Sequence, residues 1–205
     1  MEPNTNPRAV YARLLDNMDS IRILDGRGML RLTEEFPIQC REALAIGAEF
    51  TERLGSRKRP ANIVITGLGG SAIGGDLVRV LMETGGDVPV VVNRDYDLPA
   101  FAGADTLVIA SSYSGNTEET LSAYRQARQR GCTIACVTSG GKLAEMATAD
   151  GMPVCIVPGG RPPRASTGYL FIPTLAIAAA HVKLDPSCSL GAIEAALPLL
   201  ETCSL

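Results

Sequence analysis

The sequence predicts an α/β fold, a five-stranded parallel sheet with helices on both faces. Three observations point to it. From residue 61 onward, short apolar runs alternate with amphipathic stretches of helical period. The apolar runs are nearly continuous rather than alternating, as in strands covered on both sides. A βαβα order then requires a mostly parallel, doubly wound sheet with right-handed crossovers.

Taken in order, residues 8–17 and 37–54 read as helices, with Thr33, Glu34, Glu35 and Pro37 as a start signal and Gly55 as a stop. The first strand is 62–66 (Asn-Ile-Val-Ile-Thr), followed by a helix over 72–84. The second strand is 88–92 and the third 106–110, followed by a helix from Thr117 to Arg130. The fourth strand is 132–138, followed by a short helix over 142–148, and the fifth is 153–157. A long apolar helix is expected over 166–183 and another over 190–200. Pro186-Ser187-Cys188-Ser189 reads as a linker between them. The expected organisation is an N-terminal helical segment, 1–60, packing on a domain at 61–184, with 185–205 as a linker and the start of an interrupted second unit.

Composition narrows the function classes. The chain has 205 residues, 46% of them hydrophobic, and a formal net charge of −3. Its mean hydropathy is +0.14. These values indicate a real core. They offer no basis for a nucleic-acid or membrane partner. The longest apolar stretch, Tyr169 to Val182, is broken by Pro173, Thr174 and His181 and falls short of a membrane span. Residues Met1 to Asn6 carry no apolar signal core. The six cysteines are scattered, so a reduced, cytoplasmic protein is expected.

Two loops carry the chemistry. Gly67-Leu68-Gly69-Gly70-Ser71-Ala72-Ile73-Gly74-Gly75 follows the first strand, and Ser111-Ser112-Tyr113-Ser114-Gly115-Asn116-Thr117 follows the third. Both are rich in N–H and O–H donors, contain no lysine, and precede helices, which suits an anion such as phosphate. In the 2-1-3-4-5 strand order of flavodoxin-like sheets, the first and third strands are neighbours at the switch point where ligands bind. The two loops should therefore converge on one crevice, with Ser112, Ser114 and Thr117 adding hydroxyl donors.

Competing readings stand beside this one. Ser-Gly-Asn-Thr can be an ordinary turn with Thr117 as a helix N-cap. Glu118 and Glu119 read as complements of a helix dipole rather than as catalytic carboxylates. Gly67-x-Gly69-x-x-Ala72, with Asp95 about 20 residues further on and Arg94 beside it, also fits an NAD(P) fingerprint. That reading leaves the second loop unexplained. Gly140-Gly141-Lys142-Leu143 lacks P-loop spacing, and Ser114 lacks the G-x-S-x-G context of a nucleophile elbow. His181 reads as an ordinary helix residue, and Cys132 and Cys136 as core filling rather than zinc ligands.

Four stretches carry a resemblance to a known family: Phe36-Pro37-Ile38-Gln39-Cys40, Gly67 to Asp76, Ser112 to Thr120, and Pro163-Arg164-Ala165 with Gly168-Tyr169-Leu170. They resemble the sugar isomerase (SIS) domain, an αβα sandwich, and specifically the N-terminal half of the bifunctional phosphoglucose/phosphomannose isomerase family. The resemblance implies a hexose 6-phosphate substrate and aldose–ketose isomerisation through an enediolate, within glycolysis and gluconeogenesis. It implies no cofactor, no metal and a homodimer. It implies that Ser112, Ser114 and Thr117 hold the phosphate, that Gly70 and Ser71 line the same site, and that Arg164 stabilises the intermediate. The family's catalytic base and ring-opening acid lie beyond its first SIS domain, and His181 does not sit in the family's histidine motif. A non-catalytic sugar-phosphate-binding module is therefore the alternative to an isomerase.

Overall fold

The computed structural model describes residues 16–54 and 58–203. The helix expected over 8–17 lies mostly outside these residues, as does the Gly55 stop signal. Two short helices that the sequence pattern does not announce, α1 (Met18–Leu24) and α2 (Met29–Glu34), precede α3 (Phe36–Glu52). Neither short helix has a buried residue, which is why no apolar period marks them.

The alternating unit runs β1 (Asn62–Thr66), α4 (Gly70–Gly85), β2 (Val90–Asn93), β3 (Thr106–Ser111), α5 (Glu118–Gln129), β4 (Thr133–Thr138), α6 (Gly141–Ala149) and β5 (Val154–Ile156). A 3-10 turn at Pro163–Ala165 leads into α7 (Thr167–Ala179), and a second at Pro186–Cys188 into α8 (Leu190–Cys203). The strands form one sheet in the order β2-β1-β3-β4-β5. All four pairings are parallel.

The two-residue period of the strands divides the core into two layers. Ile63, Ile65, Leu107, Ile109, Ala135 and Val137 face α3, α4 and α7. Val64, Val108, Ala110, Ile134 and Cys136 face α5 and α6, against Leu121, Tyr124, Ala127, Leu143 and Ala147. In α3 the buried positions Cys40, Ala43, Gly47 and Phe50 recur at helical spacing. In α7 nearly every residue is buried, because it is enclosed between α3 and α4.

Helix α4 starts two residues before the predicted boundary, so Gly70 and Ser71 are in its first turn. The segment 185–189, read as a linker, is a turn packed on α4. Asp185 donates its N–H to the Gly85 carbonyl at 2.8 Å, and Cys188 is buried. Helix α8 lies against α3, burying Leu197 in the same core layer, and Arg41 pairs with Glu201.

Candidate functional site

Strands β1 and β3 are adjacent, with Thr66 opposite Ala110 at their carboxyl ends. The loops that leave them touch. The Tyr113 N–H donates to Ser71 Oγ at 3.2 Å. A Cβ on Gly67 would lie 2.9 Å from the Ser111 carbonyl oxygen. Together the loops line a cavity of about 260 Å³, bounded by Leu68, Gly69, Gly70, Ser71, Tyr113, Ser114 and Thr117, with Pro163 as a third wall.

Donors face this cavity from both helix starts. Neither α4 nor α5 has a side-chain cap. Among the described residues, the amides of Gly69, Gly70, Ser114, Thr117 and Glu118 have no protein acceptor. Such orphan amides, with the aligned helix dipoles behind them, favour an anion by roughly 0.3–1 kcal/mol for each exposed interaction. The hydroxyls add to this. Ser71 Oγ accepts from Tyr113 and Ser114 Oγ accepts from the Asn116 N–H at 3.2 Å, so each keeps its own proton to donate. Ser112 Oγ and Thr117 Oγ1 are 2.9 Å apart, so one donates to the other and one proton is left over. None of the lining side chains is charged.

The predicted residues therefore divide. Gly70, Ser71, Ser114 and Thr117 line the cavity. Ser112 does not; it is buried beneath it and reaches it through the Thr117 hydroxyl. Thr117 occupies the N-cap position of α5 but makes no cap bond. Arg164 is exposed on the Pro163–Ala165 turn, and its side chain lines a neighbouring recess with Met29, Thr33, Phe36 and Thr167. Among the described residues its guanidinium has no ion-pair partner.

Two parts of the site were missed by sequence reasoning. One is Tyr113, whose hydroxyl donates to the Pro158 carbonyl at 2.9 Å and accepts the Arg161 N–H at 3.1 Å, tying the serine loop to the 158–161 loop. The other is Ser139 with Gly140-Gly141-Lys142-Leu143, the latter four set aside as lacking P-loop spacing, which form the floor under the serine loop. Ser139 Oγ donates to the Tyr113 carbonyl at 2.6 Å, and the Leu143 N–H donates to the Gly115 carbonyl at 2.9 Å. The hint lay in a Gly-Gly pair after a strand, which permits close backbone approach.

Other candidates resolve as local structure. Glu118 accepts from Tyr96 Oη at 3.2 Å, and the nearby Glu119 charge, with that bond, pushes the Tyr96 pKa up. Arg94 pairs with Asp76, and Asp95 accepts the Tyr96 N–H at 2.7 Å, so both fingerprint residues are engaged locally. His181 Nδ1 lies 2.8 Å from the Ile177 carbonyl oxygen of its own helix. Cys136 is fully buried, and burial pushes its thiol pKa up to about 12.

Residues 57–152 match the SIS domain. The bifunctional phosphoglucose/phosphomannose isomerase of Caldicellulosiruptor bescii is 50% identical over 147 residues, covering 72% of this chain and 43% of that protein. The enzyme of the same name from Thermoplasma acidophilum is 46% identical over 115 residues, 56% of this chain and 35% of that one. D-glucosamine-6-phosphate 4-epimerase from Sulfolobus acidocaldarius is 36% identical over 129 residues, 60% of this chain and 40% of that one. The chain thus spans less than half the length of these relatives.

Solved structures share the fold. The C-terminal domain of glucosamine-fructose-6-phosphate aminotransferase from Francisella tularensis superposes with a TM-score of 0.62 at 16% identity, covering 85% of this chain and 54% of that one. Tagatose-6-phosphate ketose/aldose isomerase from Escherichia coli gives 0.55 at 18% identity, covering 86% and 50%. The strand order and the paired loops agree with the match of residues 57–152 to the SIS domain.

Proposed function

We propose that this chain binds a hexose 6-phosphate by its phosphate and serves a sugar-phosphate isomerase that interconverts glucose 6-phosphate and mannose 6-phosphate with fructose 6-phosphate. The observation that carries this reading is the convergence of two donor-rich loops on one cavity, with amides of both left without a protein acceptor among the described residues. The names of the relatives support it, since the isomerase and epimerase names alike contain a phosphorylated hexose or hexosamine. In this reading the phosphate oxygens accept from the Gly69, Gly70 and Thr117 amides and from the Ser71, Ser114 and Thr117 hydroxyls. Ser112 holds the Thr117 hydroxyl in place.

Isomerisation needs ring opening, proton movement between C1 and C2 through an enediolate, and a cation for the developing oxyanion. Arg164 is the proposed cation. Its backbone adjoins the cavity through Pro163, and among the described residues no ion pair holds its guanidinium away from the cavity. The lining residues carry neither carboxylate nor imidazole. The base and ring-opening acid in this reading therefore come from outside the lining.

That same observation favours a second reading, a module that binds sugar phosphates without turning them over. Incubating the purified chain with fructose 6-phosphate, following both aldose phosphates and titrating binding in parallel, separates the two. Turnover supports the isomerase, and binding alone supports the module. Stabilisation by NADPH but not by any sugar phosphate overturns both.

A cytoplasmic homodimer completes the proposal. The buried, unpaired thiols of Cys40, Cys136 and Cys155 suit a reducing compartment. Ile73, Leu77 and Val80 leave an exposed apolar row on α4 that suits a second copy. Among the described residues no helix is long and apolar enough to cross a membrane. Light scattering tests the dimer.

A further inference from the structure

The Phe36-Pro37-Ile38-Gln39 opening of α3 is one of the stretches the binding loops leave unexplained. Gln39 is 1% exposed and does not line the cavity. Its Nε2 donates to the Ala165 carbonyl at 2.8 Å, and its Oε1 accepts the Gly168 N–H at 2.7 Å. Ala165 ends the 3-10 turn that carries Arg164, and Gly168 is in the first turn of α7, whose N-cap Ser166 makes no side-chain cap bond. One side-chain amide thus ties the end of the turn to the start of the helix from across the fold. The fit is close, since a Cβ on Gly168 would lie 2.8 Å from Gln39 Oε1.

The opposite side of the turn is equally confined. A Cβ on Gly70 would lie 2.9 Å from the Pro163 carbonyl oxygen. The turn is therefore held between Gln39 and the cavity's own glycine. A second tie comes from the same end of α3, where Glu35 Oε2 accepts from Arg161 Nη2 at 2.9 Å. An apolar residue in place of Gln39 would leave the partly buried Ala165 carbonyl and the buried Gly168 N–H without the partner that Gln39 supplies.

We propose that Gln39 is a positioning residue, holding the Pro163–Ala165 turn so that Pro163 closes the cavity and Arg164 stands beside it. This rests on the sugar-phosphate reading, and it assigns Gln39 no contact with substrate. The serine loop is secured independently, by Tyr113, Ser139 and Leu143.

The test compares Gln39→Leu and Gln39→Glu with the unaltered chain, by calorimetric titration with fructose 6-phosphate and with inorganic phosphate, and by amide hydrogen exchange. Gln39→Leu is expected to weaken fructose 6-phosphate at least about tenfold while leaving inorganic phosphate within about twofold, and adding Arg164→Ala to it should cost less than another twofold. Exchange at Ser166–Gly168 should quicken about tenfold, with Ser114–Thr117 unchanged. Gln39→Glu should match the unaltered chain at pH 5.5, where a protonated carboxyl can still donate to Ala165, and should weaken fructose 6-phosphate at pH 8, where the carboxylate keeps the Gly168 N–H but loses the donor to Ala165. That second variant decides the matter if Gln39→Leu does not fold.

Equal weakening of both ligands, unchanged sugar-phosphate affinity, or independent losses from Gln39→Leu and Arg164→Ala overturn the proposal. If the unaltered chain binds neither ligand, the sugar-phosphate reading itself fails. Exchange then decides alone: acceleration confined to residues 165–168 upholds the clamp, and uniform acceleration overturns it.

Discussion

Gly115 and Gly140 are in backbone contact so close that a Cβ on Gly115 would lie 1.8 Å from the Gly140 carbonyl oxygen. Gly115 also has a φ of +67°, which side-chain-bearing residues rarely adopt. The serine loop takes its shape from this contact, and the contact admits no side chain.

Gly115→Ala should therefore destabilise the protein by at least about 2 kcal/mol and abolish sugar-phosphate binding. Gly131→Ala is the control. Gly131 has the same φ of +67° with nothing within 4 Å of the added carbon, so only the conformational penalty of about 1–2 kcal/mol applies. Urea unfolding of the two variants measures the difference.

Thr117→Val removes a hydroxyl from the cavity and should weaken fructose 6-phosphate by about 1–3 kcal/mol. Because Ser112 acts through Thr117 in the arrangement described, Ser112→Ala added to Thr117→Val should cost little more. Calorimetry on both variants checks this, and an unaltered affinity in Thr117→Val would remove the cradle from consideration.

Arg164→Ala should leave thermal stability within about 0.5 kcal/mol, as expected for an exposed side chain without an ion-pair partner among the described residues. Where the chain turns over substrate, the same variant should lower kcat more than it raises KM.

Alkaline pH should unfold the protein earlier than its surface charges alone would require. Burial holds the Cys40 thiol up to about 11 and those of Cys136 and Cys155 up to about 12, against an ordinary 9.0. These folded values are raised, so the contribution is complete below pH 9. It is lost as pH climbs toward 11 and 12, because the unfolded chain releases those protons first. Denaturation midpoints between pH 8 and 11 should fall, and Cys136→Ala should flatten the decline despite its cavity cost at neutral pH.

The sheet order was legible because every strand is a short apolar run ended by glycine or polar residues, and because buried parallel strands have few topologies. The meeting of the two loops followed from that order alone. What could not be read were contacts between residues far apart in sequence. Gln39 reaches Ala165 and Gly168 from across the fold, and nothing near Gln39 announces that partner. Arg164 was placed by resemblance, and the side chain's direction depends on packing that no local pattern encodes. The burial of Ser112 was hidden for a similar reason, since it lies only two positions from the lining hydroxyl of Ser114.

A cavity walled only by dipoles has a consequence for how the proposed phosphate ligand would arrive. Dipolar fields fade faster with distance than those of a full charge, and a chain of net charge −3 repels a phosphate dianion from afar. The ligand is therefore not drawn in but recognised on arrival, where amides and hydroxyls match its oxygens. Ionic strength should then influence capture only modestly, and discrimination should rest on geometry rather than on long-range attraction.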